Sequence, residues 1–141
     1  MDEDRARRRF EDAISTYEQA FGTFFLARLL DLSITYPQDC CRIEFEIHDF
    51  MFNPQGTLHG GLIATVMDIS MGHLLKHRNG RGGATLEMKV QYLRPLRAGT
   101  ARCEGRMLRE GRSVAFLESR LYDGEDRLAA MASSTWKPAD A

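Results

Sequence analysis

The sequence predicts an α+β domain in which an antiparallel sheet of six strands wraps around one central helix, with a further helix at the N-terminus. Three observations carry this. From Gly60 to about Lys76 the chain is apolar on nearly every helical face, the mark of a helix surrounded by protein. Residues 41–47, CRIEFEI, alternate strictly: Ile43, Phe45 and Ile47 point one way and Arg42, Glu44 and Glu46 the other, as in a half-buried strand. Beyond the helix, four further strand-like segments follow at short spacing, and such short connections make neighbours antiparallel.

The elements follow in order. Residues 5–20 mix charge with Phe10, Ile14 and Tyr17, a spacing of 4 and 3 that suits an amphipathic helix. The apolar stretch from Phe21 to Leu30 docks that helix to the body. Residues 30–36, LDLSITY, alternate loosely, and Pro37 to Asp39 read as a turn before the strand at 41–47. A loop with Asn53-Pro54 and Gly56 as turn signals leads into the helix, and HRNGRGG, residues 77–83, is its glycine-rich exit. ATLEMKVQYL then places Leu86, Met88, Val90 and Tyr92 on one face until Pro95 and Gly99 break it. TARCEGRML, SVAFLESRLY and RLAAMASSTW complete the sheet, with Glu110-Gly111 and Asp123-Gly124 as hairpin signals between them.

Composition narrows the function classes. The 141 residues make a single domain, 1–141, with 43% hydrophobic and 28% charged residues, an ordinary globular balance. A net charge of −1 gives no electrostatic case for nucleic acid or an anionic membrane. Arg5, Arg7, Arg8 and Arg9 are offset by neighbouring acids and form a solvated face. Three cysteines, Cys40, Cys41 and Cys103, give neither a disulfide framework nor zinc-site spacing. The N-terminus lacks the apolar core of a signal peptide and no run of 18 apolar residues exists, so a cytoplasmic protein with no membrane span is expected.

One residue conflicts with its surroundings. Asp68 is the only acidic residue between Gly60 and Leu75. An unpaired carboxylate in an apolar interior is costly, so Asp68 lies in a wet cleft or is held by specific donors, and is a candidate functional residue. A structural carboxylate is the plainer alternative. A second constellation lies just before the helix: Asn53, Gly56, His59, Gly60 and Gly61. Glycines let a ligand approach the backbone, and the first helical turn offers unpaired N–H groups and the positive end of the dipole, a place to hold a developing oxyanion. His59 or Asn53 is placed to add a donor. Asp68 lies eight residues past Gly60, about 12 Å along the axis and about 80° around it, too far to serve the same atom. The two groups meet if a second copy of the helix runs antiparallel beside the first, so the sequence predicts a dimer with sites across a two-fold axis.

The stretches NPQGTLHGGLIATVMD and ATLEMKVQYLRPLRAGT resemble the PaaI-like branch of the hot-dog thioesterases, the 4-hydroxybenzoyl-CoA thioesterase superfamily, over about Phe21 to Trp136. The resemblance implies hydrolysis of acyl-CoA thioesters by a homodimer, often paired into a dimer of dimers, with no metal or organic cofactor. It further implies that Asp68 activates water or attacks directly, that Thr85 on the next strand helps hold the water, and that the Gly60 N–H and Asn53 bind the thioester oxygen with support from His59. Thr85 stands where the family also uses serine and keeps the hydroxyl.

Other signals are weaker. Asp68 and His73 have the spacing seen in hot-dog enoyl hydratases, but five residues place them about 140° apart on one helix. His73 and His77 form an i, i+4 pair without a third metal ligand, so no metal site is expected. Gly61 adjoins the expected substrate path, and Arg94 and Arg97, with Arg109 and Arg112, flank strand ends where they could touch the phosphates of coenzyme A. Phe24, Phe25, Phe50, Met51 and Phe52 are candidates for an acyl pocket, for core or for interface. A hot-dog module that binds an acyl-CoA or aromatic ligand without turnover is the alternative to the enzyme.

Overall fold

The structure, a computed structural model, describes residues 1–141. Helix α1 (Glu3–Thr16) and the short α2 (Phe25–Leu29) precede strands β1 (Ser33–Thr35) and β2 (Cys40–Glu46). The long helix α3 (Gly60–Asn79) follows, then β3 (Gly83–Tyr92), β4 (Thr100–Glu110), β5 (Ala115–Tyr122) and β6 (Leu128–Pro138). The strands form one antiparallel sheet in the order β1-β2-β4-β5-β6-β3, and α3 packs against β2 through β6. This is the expected hot-dog architecture.

The core lies between α3 and the sheet. Ile43 from β2, Met67, Met71, Leu74 and Leu75 from α3, and Leu117 and Leu121 from β5 are all fully buried. The helix backbone comes close to the sheet at Gly105, where an added Cβ would lie 2.7 Å from the Ser70 carbonyl oxygen. At the same contact Ser70 Oγ lies 2.8 Å from Ser119 Oγ, which lies 3.1 Å from Cys103 Sγ. Burial pushes the Cys103 thiol up to about 11, so it fills space rather than reacts. On the outer face Glu104 meets Arg42, Arg102 and Arg106 at 3.2, 3.1 and 3.1 Å. Burial alone would raise its carboxyl, but these guanidiniums outweigh that and hold it below its ordinary value.

Three expectations need correction. First, α1 spans Glu3–Thr16 rather than 5–20. Asp2 caps its start by accepting from the Arg5 N–H, and Ser15 and Thr16 turn their hydroxyls back onto the Asp12 carbonyl, where the last turn frays. Second, α3 is not surrounded on every side. Gly61, Thr65, Asp68, Gly72, Lys76 and Asn79, spaced by 4, 3, 4, 4 and 3, are all partly or fully exposed and form one open stripe. Third, β3 carries a bulge between Thr85 and Glu87, so Leu86 does not share the inner face with Met88, Val90 and Tyr92; it is 57% exposed. The β5–β6 hairpin forms at Asp123-Gly124 as expected, with its left-handed residue at Asp126 (φ 60), and Asp123 organises the loop by accepting from the Glu125 and Arg127 N–H groups. No helix is long and apolar enough to cross a membrane.

Candidate active site

The open stripe of α3 floors a cleft of about 660 Å³ that contains Asp68. The chain between α1 and α2 forms one wall, with Phe21 and Phe24, and Met88 of β3 and Trp136 of β6 form the other. Asp68 is part-exposed in this cleft, so the wet-cleft reading holds and full burial does not. It is also held by a specific donor: Thr85 Oγ1 donates to Asp68 Oδ1 at 2.7 Å.

The bulge explains how Thr85 gets there. Thr85 pairs with Trp136, and Met88, Val90 and Tyr92 pair with Ser134, Ala132 and Ala130, which alternate along the inner face of β6. In a regular strand Thr85 and Met88, three residues apart, would face opposite ways. The bulge absorbs one residue and puts both on the helix side.

The start of α3 is built by the loop before it. Asn53 Oδ1 accepts from the backbone N–H of Gln55 and Thr57 at 3.0 and 3.2 Å, and its amide donates to Thr57 Oγ1 at 2.8 Å. Asn53 is therefore the loop's organiser and keeps one amide proton in reserve. Gly56 takes φ 76, a conformation that glycine adopts without strain. His59 is the N-cap: its Nδ1 accepts from the Gly61 N–H at 2.9 Å, and its carbonyl accepts from Leu62 and Ile63 at 2.9 and 3.1 Å. The bond from Ile63 is the first regular helical one; of the four orphan N–H groups at this helix start, that of His59 donates to the Met51 carbonyl at 2.9 Å, those of Gly61 and Leu62 are taken by His59, and the Gly60 N–H alone finds no acceptor within the chain. Gly61 thus contributes no N–H to a ligand, and its missing side chain makes room for the cap, since a Cβ there would lie 3.0 Å from His59 Nδ1.

Sequence reasoning missed Tyr92 at this site. From the inner face of β3 its hydroxyl donates to the Gly60 carbonyl at 2.8 Å, and its ring covers the Gly60 Cα, where a Cβ would sit 3.3 Å away. It was legible only as one apolar position of a strand, because its partner lies 32 residues away. Trp136 was missed likewise. Its ring lies against Gly72, where a Cβ would come within 2.9 Å.

His73 has a different place from the one its spacing suggested. It is buried, its Nδ1 is 3.0 Å from the Ile69 carbonyl, and its Nε2 accepts from the Gly22 N–H at 2.8 Å. Burial pulls its pKa below the ordinary value, offset in part by the Ile69 bond. With both nitrogens engaged, His73 serves neither as a hydratase base nor as a metal ligand with His77, whose ring stacks on Tyr36 at 4.0 Å. Arg94 and Arg97 lie exposed in the β3–β4 loop, and neither has an acidic side chain within ion-pair distance. Of the five candidate pocket residues only Phe24 lines the cleft. Phe25 packs edge-on between Phe10 and Tyr17, while Phe50, Met51 and Phe52 join the core.

Gly60 and Asp68 remain on one helix, eight residues apart, on the spacing that separates them by about 12 Å along the axis.

Residues 55–130 match the Thioesterase superfamily. The protein SSO2140 of Saccharolobus solfataricus is 34% identical over 129 residues, covering 89% of this chain and 92% of its own. An alignment with SSO1253 of the same organism spans 64% of that protein's length. The medium/long-chain acyl-CoA thioesterase YigI of Escherichia coli is 28% identical over 151 residues, covering 88% of this chain and 97% of its own. The structure of the BH2602 protein from Bacillus halodurans with CoA superposes with a TM-score of 0.88 over 99% of this chain and 94% of that one; at 20% identity it shows a shared fold. The family match takes in α3, which carries Asp68, and strands β3, β4 and β5, and the chain belongs to the thioesterase superfamily.

Proposed function

We propose that the protein hydrolyses acyl-CoA thioesters at two equivalent sites formed across a homodimer. The observation that carries this reading is the pairing of a carboxylate in an apolar cleft, held on one oxygen by Thr85, with a helix start whose one unsatisfied N–H belongs to Gly60.

In this mechanism Thr85 anchors Asp68 Oδ1 and leaves Oδ2 for water. Asp68 of one subunit takes a proton from the water, whose oxygen forms a bond to the thioester carbon. The carbonyl π pair moves to its oxygen, which is held by the other subunit's Gly60 N–H and by the remaining amide proton of Asn53. Collapse breaks the C–S bond and releases the free acid and the coenzyme A thiolate, a good leaving group, which takes up the proton that Asp68 drew from water and so restores the carboxylate. Only side chains and a backbone N–H take part, so the reaction as proposed needs no cofactor. His59 caps the helix and Gly61 makes room for that cap, which together hold the Gly60 N–H outward. Arg94 and Arg97, exposed and lacking acidic partners, take the phosphates of coenzyme A.

The sheet edges support the dimer. β1 is a three-residue edge, but β3 is a ten-residue edge with Leu86 and Tyr92 57% and 54% exposed. A long edge with apolar side chains invites pairing with another chain. A second copy beside it would set its own α3 antiparallel to the first and bring Asp68 opposite Gly60. Three buried, unpaired thiols fit a reducing compartment, and we place the enzyme in the cytoplasm.

The test is thiol release from a set of acyl-CoAs. The wild type is expected to turn over, and Asp68→Ala to lose about 10²–10⁴-fold in kcat while keeping its fold. A wild-type protein that binds acyl-CoA without releasing thiol would be a binding module and would contradict the reading.

A further inference from the structure

One wall of the Asp68 cleft belongs neither to the sheet nor to α3. It is the strap joining α1 to α2, which places Gln19, Ala20, Phe21 and Phe24 over the stripe. The strap is secured at a defined height. Glu18 N–H bonds the Thr23 carbonyl at 2.9 Å, and the Gly22 N–H reaches down to His73 Nε2 at 2.8 Å. The rings of Phe21 and Phe24 lie 5.0 and 5.9 Å from the His73 ring. His73 is itself locked by the Ile69 carbonyl and follows Asp68 by five residues, about 7.5 Å along the helix. Opposite the strap stands Trp136, admitted because Gly72 has no side chain. The cleft is therefore a slot with the reacting carboxylate on its floor and an aromatic on either side.

We propose that this strap is the gauge for the acyl group, with Phe24 and Ala20 the residues that set its size, and that the substrates carry bulky, uncharged acyl chains or aryl groups. The inference rests on the thioesterase reading above. Apart from Asp68 no charged side chain lines the cleft, and both nitrogens of His73 are engaged, so a second carboxylate on the acyl group would be stranded without a partner. An acetyl group would leave most of the slot unfilled, whereas each further methylene buried there gains about fourfold in kcat/KM. Phe24 is half-buried and its removal opens the slot beneath the strap. Ala20 is exposed, so a larger side chain there narrows the slot with little consequence for folding.

The experiment measures kcat/KM of the wild type, Ala20→Phe and Phe24→Ala with acetyl-, succinyl-, hexanoyl-, decanoyl-, tetradecanoyl- and phenylacetyl-CoA. The wild type is expected to favour decanoyl- or phenylacetyl-CoA over acetyl- and succinyl-CoA by about 100-fold or more, and Ala20→Phe to lower the decanoyl-to-hexanoyl ratio about tenfold. Phe24→Ala is expected to move the optimum toward tetradecanoyl-CoA; if that variant fails to fold, Ala20→Phe alone decides. Variant profiles that superimpose on the wild type, or a wild type that prefers acetyl- or succinyl-CoA, overturn the gauge while leaving the hydrolase intact. A wild type that cleaves none of the six overturns both, and so separates the two failures.

Discussion

Thr85 Oγ1 donates to Asp68 Oδ1 at 2.7 Å, joining the edge strand to the central helix across 17 residues of sequence. The bond does two things at once. It satisfies one oxygen of the carboxylate, and it fixes the direction in which the other faces the cleft.

Replacing that donor tests its role. Thr85→Val keeps the shape and removes the hydroxyl, and kcat is expected to fall about 10- to 100-fold with KM little changed, since the carboxylate loses its aim rather than its charge. Thr85→Ser restores most of the rate. Steady-state kinetics of the three enzymes, with melting temperatures as a control, decide the matter; equal rates for Thr85→Val and wild type would remove Thr85 from the mechanism.

The Gly60 N–H can be deleted without breaking the helix. Gly60 is the first residue of α3, where proline is well tolerated, and His59 already has φ −60 and ψ 130, suited to the position before a proline. The added Cβ meets the Tyr92 ring at 3.3 Å, a matter of a few tenths of an ångström for an exposed side chain. Gly60→Pro is expected to lose about 10²–10³-fold in kcat with unchanged far-ultraviolet circular dichroism. A wild-type kcat in this variant would show that the oxyanion is held elsewhere.

His73 gives the fold a pH dependence of known sign. Its imidazole is held neutral, with a folded pKa below the unfolded value of about 6.5. Between those two values the unfolded chain binds more protons, so the stabilisation is complete above about pH 6.5 and is lost as pH falls toward the folded pKa, at no more than about 1.4 kcal/mol per pH unit. Glu104, whose carboxyl is also held low, adds its own loss only in the more acid carboxylate range. Urea denaturation between pH 7.5 and 5.5 should show a falling midpoint for the wild type and a flatter line for His73→Gln. Parallel lines would mean that another group titrates.

Gly72→Ala probes the wall opposite the strap. Its Cβ would fall 2.9 Å from the Trp136 ring, so the ring or the helix must move, at a cost of about 1–3 kcal/mol. Thermal unfolding reads this directly, and an unchanged melting temperature would show that the ring has room the geometry denies it.

How much of this was legible in the sequence follows from the range of each signal. The alternation of Ile43 and Phe45 marks β2 because a period of two is a property of the strand itself. Asp68 stands out in any reading of the helix, yet the stripe it belongs to, from Gly61 through Thr65 and Gly72 to Asn79, was present at helical spacing and was masked by the apolar majority. The position of Thr85 was accessible only through the family resemblance, since strict alternation groups Leu86 with Met88 and the bulge reverses that grouping. The roles of His73 and Tyr92 were beyond reach, because their partners Gly22 and Gly60 lie 51 and 32 residues away.

The central claim is that each site takes its carboxylate from one subunit and its N–H from the other, and subunit mixing tests it most directly. Asp68→Ala and Gly60→Pro are each inactive as homodimers on this account. A mixed dimer holds one site with both defects and one with neither, so co-refolding equal amounts should restore about a quarter of wild-type activity under random pairing. A mixture that forms mixed dimers, verified by an affinity tag on one variant, and stays as inactive as its parents would contradict the shared site.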